Sequence, residues 1–126
     1  MSRLALLRLL LPAALLTFTA SAQADAHSDV AALIQQGKTT EAIAQAQSYL
    51  AQNARDPQMR FIKANVLGRT GKPDEAQAIL LQLTRDYPEL AEPWNNLAVL
   101  HASRGQLGRA REAQQNAMRI QPDYAN

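Results

Sequence analysis

The sequence predicts an all-α fold made of stacked helix pairs, an α-solenoid. Three observations carry that prediction. Gly37, Gly71 and Gly105 stand 34 residues apart, and Ala42, Ala76 and Ala110 keep the same interval. Pro88 and Pro122 repeat it once more. Between these markers, apolar residues recur at three- and four-residue steps, the period of a helix face. A fixed interval of this length is the signature of repeated supersecondary units.

The first element is expected to be a leader rather than part of the array. Residues 1–24 carry Arg3 and Arg8, an apolar run from Leu9 to Phe18, then "ASAQA". Positive start, short apolar stretch and small residues make a secretory signal peptide, with cleavage expected near residue 22 or 24. The run falls short of the roughly 20 residues that a spanning helix needs, and Pro12 interrupts it. The mature chain is expected to be periplasmic or secreted, without stable membrane insertion. There is no Cys, so no disulfide braces it and no lipid attachment is expected after the leader. Of 13 Lys and Arg, the leader removes Arg3 and Arg8, and the 11 that stay balance 11 Asp and Glu. A neutral domain without a basic cluster is a poor partner for nucleic acid.

The array is expected over residues 25–124, in units of about 25–56, 57–90 and 91–124. In the first unit, Ala42, Ala46 and Leu50 form one stripe, with Tyr49 beside it. In the second, "KPDEAQAILLQLTRDY" places Ala76, Ile79, Leu80 and Leu83 on an inward face. In the third, Pro93 suits a first helical turn, where its missing N–H costs nothing. Trp94, Leu97, Ala98 and His101 then share one face. Gly105 ends that helix by adopting the left-handed conformation. The last helix starts near Leu107, with Ala110, Ala113, Ala117 and Ile120 in line, and Pro122 stops it. Ala42, Ala76 and Ala110 each sit one turn into a second helix, where the paired backbones come closest and a larger side chain would push them apart. Pro122–Asn126 repeats the register of Pro88–Glu92. A fourth unit is therefore expected to start at residues 125–126, which favours a fragment or a truncated reading frame.

The third unit resembles the tetratricopeptide repeat, whose pattern runs W-x2-L-G-x2-Y, then A-x3-F, then P. Trp94, Leu97, Ala110 and Pro122 match it, while Ala98, His101 and Gln114 stand for the Gly, Tyr and Phe. The second unit keeps Ala64, Leu67, Ala76, Leu80 and Pro88, but has Arg60 and Lys63 where the pattern wants an aromatic and a Leu. That departure predicts a slightly rotated helix with Phe61 and Ala64 inward. In the first unit Leu33 and Ala42 match, while Ala26, Asp29 and Ala54 stand at pattern positions. "EPWNNLAVLHASRG" also resembles exported repeat proteins of proteobacteria. The resemblance implies a right-handed superhelix whose first helices line a concave face.

No catalytic constellation is expected. His101 takes an aromatic core position and reads as a packed, satisfied His. His27 lies close to the mature N-terminus and is expected to be frayed. There is no Cys/His metal spacing and no Gly-rich phosphate loop, so neither metal nor cofactor is expected. Asp74–Glu75 opens a helix, where carboxylates favour the positive dipole end.

What the resemblance implies instead is a non-enzymatic module that binds a peptide or protein segment in its concave groove, as a cell-envelope adaptor or assembly factor. The residues expected to line the groove are Phe61, Ile62, Asn65 and Arg69 from the second unit and Asn95, Asn96 and Val99 from the third. Gln58, Glu92 and Ser103 extend these faces. Ala31, Ile34 and Gln35 do so on the first unit. Asn65 and Asn96 fall where clamp-type members use Asn on peptide backbone, since an amide both donates and accepts. Phe61 stands where those clamps carry a Lys. An apolar or extended segment against Phe61 and Ile62 is therefore expected, rather than a C-terminal carboxylate. Two alternatives stay open: a structural array that self-associates through its final helix, and a piece of a larger repeat protein.

Overall fold

The computed structural model describes residues 25–125, so the expected leader at 1–24 and the last residue, Asn126, lie outside the described residues. Helix α1 covers 25–35. It is followed by α2 (Thr39–Gln52), α3 (Pro57–Arg69), α4 (Pro73–Asp86), α5 (Ala91–Ser103) and α6 (Leu107–Ile120). A 3-10 turn, Pro122–Ala125, stands where the sequence predicts a fourth unit to begin. Among the described residues there is no strand.

Each pair closes through the same device. Gly37, Gly71 and Gly105 have φ of 75°, 83° and 73°, a region that penalises any side chain. In the first turn, the Gly37 N–H donates to Ile34 O at 3.1 Å and the Lys38 N–H to Leu33 O at 2.9 Å. The third turn repeats this: Gly105 N–H donates to Ala102 O at 3.0 Å, and Gln106 N–H to His101 O at 2.9 Å. Those bonds satisfy carbonyls that a helix end would otherwise leave open. Helix starts are less uniform. Asp56 caps α3, its Oδ1 accepting from the Gln58 N–H at 3.1 Å, with Pro57 as first helical residue.

The small-residue rule places the pairs. Ala42 and Ala76 are 1% exposed, whereas Ala110 is only half-buried. A Cβ added to Gly68 of α3 would sit 3.7 Å from the Ala76 Cβ of α4, so these two backbones meet through their smallest residues. The core is in two parts. The larger joins Ala64 and Leu67 of α3, Ala76, Leu80 and Leu83 of α4, and Leu97, Ala98 and Leu100 of α5 to Ala113 of α6. The smaller joins Val30 of α1, Ala42 and Ala46 of α2, and Met59 of α3. Met59 is fully buried, a core position that the sequence pattern does not mark; it stands 34 residues before Pro93, which is buried too.

Two expectations are corrected. Ile120, expected on the inner stripe of α6, is 37% exposed, because that stripe ends at Ala117. His27 is not frayed. Its Nε2 lies 2.6 Å from Asp56 Oδ2, and its ring centroid is 5.3 Å from that of Tyr49, so two later elements hold it. His101 is 6% exposed and satisfied, its Nδ1 2.7 Å from Gln106 Oε1.

Candidate peptide-binding groove

Helices α3 and α5, the first helices of neighbouring units, lie side by side and leave a cleft of about 400 Å³. Its walls are Asn65, Gly68 and Arg69 on one side and Asn96, Val99 and Ser103 on the other. Ala76 and Leu80 of α4 form the floor. The absence of a Cβ on Gly68 and the single methyl on Ala76 keep that floor deep. The lining carries one cation, Arg69, and no carboxylate. Val99 is 64% exposed, an apolar side chain offered to water at the rim of an apolar crevice.

Asn65 and Asn96 are not independent. Asn96 Nδ2 donates to Asn65 Oδ1, so the two amides bridge α3 and α5 across the groove. The Asn65 amide N–H groups and the Asn96 carbonyl stay available to pair with a ligand's backbone.

Of the residues expected in the groove, Asn65, Arg69, Asn96 and Val99 come together, joined by Ser103. Phe61, Ile62 and Asn95 stand outside this cleft. Phe61 is half-buried against the larger core cluster and Ile62 against the smaller one. Both are recruited to cover the interior, because burying a large apolar side chain is worth about 1.5–3 kcal/mol. Asn95, half-buried, occupies the position 34 residues after Phe61. Sequence reasoning also misses the floor residues Gly68, Ala76 and Leu80, which belong to the core pattern and show only where two first helices part.

The departure at Arg60 has a structural answer. Its guanidinium Nη1 lies 2.9 Å from Asp86 Oδ2, with the Arg60 side chain 12% exposed. An ion pair at the end of α4 thus occupies the place of the aromatic. The Gln82 amide, 2.9 Å from Asp86 Oδ1, and then Arg60 hold the Asp86 carboxyl below its usual value.

A second polar cluster lies at the junction of the first two units, around a cavity of about 510 Å³ lined by His27, Tyr49, Asp56 and Tyr87 among others. Partial burial acts to raise the Asp56 carboxyl. Hydrogen bonds from Tyr49, His27 and the Gln58 N–H outweigh it and hold the group below its ordinary value. Burial, then the Asp56 carboxylate, pushes the Tyr49 phenol up. Tyr87 Oη donates to Arg55 O at 2.8 Å and closes the cluster's outer side. The contacts join α1, α2 and the start of α3.

Stacked helix pairs, a shared Gly turn and a cleft between first helices define a repeat solenoid. The tetratricopeptide repeat family model matches residues 63–125, half of the sequence, and the chain belongs to that family of protein-interaction repeats. A solved structure similar to it is that of YrrB, described as a tetratricopeptide repeat protein with an unusual peptide-binding site. The two share 25% identity with a TM-score of 0.74, over 79% of this chain and 52% of the other. The chain therefore spans about half the length of that relative. No curated protein matches the sequence.

Proposed function

We propose that the chain binds an extended protein segment in the α3–α5 groove, acting without catalysis as an adaptor or assembly factor of the cell envelope. The observation that carries this reading is the crevice itself. Bridging amides stand beside an apolar floor, with an exposed Val99 at the rim and Arg69 as the one charge. The amides suit backbone of any sequence, and the floor suits a small apolar side chain. Family membership and the peptide-binding site named for YrrB support the same reading. The envelope location rests on the leader-like residues 1–24.

The test is a peptide selection on the purified chain, followed by calorimetry with the recovered peptide. Val99→Arg is expected to weaken binding at least about tenfold, corresponding to roughly 1.4 kcal/mol, by putting a charge on the rim. Asn96→Leu is expected to weaken it as well, by leaving ligand amides unpaired. Gln82→Ala, on the exposed side of α4, is expected to be silent. Peptides that bind both groove variants as well as the parent would place recognition elsewhere and end the proposal.

A further inference from the structure

The 34-residue repeat operation can be carried across the ends of the array. Inside the chain, one such junction joins α4 to α5. There Gln77 and Leu81 of α4 share a cleft with Trp94, Leu97 and His101 of α5 and Arg109 of α6, and Thr84 is 6% exposed. Thirty-four residues after Gln77, Leu81 and Thr84 stand Arg111, Gln115 and Met118 of α6, all exposed. Sixty-eight residues before Trp94, Leu97, His101 and Arg109 stand Ala26, Asp29, Leu33 and Glu41. Asp29 and Glu41 are exposed. If α1 of one copy follows α6 of another by the same step that takes α4 to α5, Arg111 lies among Asp29 and Glu41. Met118, 39% exposed, takes the buried place of Thr84.

The wider charge distribution agrees. Residues 25–56 hold Asp25, Asp29, Glu41 and Asp56 against Lys38 and Arg55, whereas residues 97–125 hold Arg104, Arg109, Arg111 and Arg119 against Glu112 and Asp123. The first unit is acidic, the last is basic, and the exposed apolar residues Leu107, Met118 and Ile120 belong to the basic end.

We infer that copies of this chain associate head to tail, the α6 face around Arg111 and Met118 of one copy docking on the α1–α2 face around Asp29 and Glu41 of the next. The two faces differ, so the contact is heterologous, and a solenoid step does not close on itself; the product is an open series rather than a fixed dimer. It leaves the α3–α5 groove uncovered, so it stands or falls independently of peptide binding.

Sedimentation of the full chain at rising concentration tests this. The expected result is a mass that grows with concentration without a plateau at two copies and falls as salt is raised, because the charges lie near the surface. Arg111→Glu is expected to weaken association at least about tenfold through like charges at the contact. Asp29→Arg is expected to do the same by itself. An equimolar mixture of the two single variants is expected to associate again, since the glutamate introduced on α6 of one then faces the arginine introduced on α1 of the other. That recovery also shows that both variants are folded. A chain that stays monomeric at every concentration overturns the inference. So does association untouched by Arg111→Glu, a mixture that fails to recover, or association abolished by Val99→Arg in the groove.

Discussion

Asp56 does three jobs at once. One carboxylate oxygen caps α3 through the Gln58 N–H, the other meets His27 Nε2, and the Tyr49 hydroxyl adds a further hydrogen bond. These bonds favour the ionised form and keep its proton affinity low. A carboxyl with a depressed folded value contributes stability above its unfolded value, and that contribution is lost as pH falls through the folded value. Asp56→Asn keeps an acceptor at the cap but removes the charge. Thermal melts of parent and variant are expected to differ most at neutral pH and to converge below about pH 4, where the unfolded carboxyl takes up its proton. A gap that stays constant on acidification would show that charge is not what Asp56 supplies. None of this is visible in the sequence. His27 and Asp56 lie in different elements, and no local pattern links them.

Among the elements, the α3–α4 pair is the one most tightly set by residue size. Ala76 is 1% exposed and faces Gly68 at the closest approach of the two backbones. Ala76→Leu is expected to cost about 1–3 kcal/mol by overpacking. Ala44→Leu makes the same change on the exposed side of α2 and is expected to leave the denaturant midpoint nearly unmoved. Equal losses for the two would contradict the packing described. This element-level structure is legible in the sequence because its causes are local. A Gly that must be left-handed, an Ala where backbones meet and a Pro that stops a helix keep their spacing wherever the unit recurs. The groove is legible only by half. Asn65, Arg69, Asn96 and Val99 lie on helical faces that the period alone aims into the concavity. Whether Phe61 and Ile62 join them depends on how far neighbouring helices draw apolar side chains inward, and Met59 shows how deep that reach goes. From sequence, Asn65 and Asn96 read as two separate ligand contacts, because a bond between helices of different units leaves no mark on either one.

At the scale of the whole molecule, the proposed envelope location makes its own prediction. Intact-mass measurement on material recovered from the periplasm is expected to find a chain beginning at Gln23 or Asp25. Recovery of all 126 residues from the membrane fraction would instead favour an anchor. The division of the core bears on what such processing does to the groove. Helix α3 is a beam shared by two blocks: its first turn gives Met59 to the smaller cluster, and its later turns give Ala64 and Leu67 to the larger. Both groove walls are rooted in the larger block. A strain applied at the N-terminal end, by removal of a leader or by a neighbour pressing on α1, is taken up first where the two blocks join, near Met59. The spacing of Asn65 from Asn96 is thereby insulated from events at that end, as a vice keeps its gap when its bench is jolted.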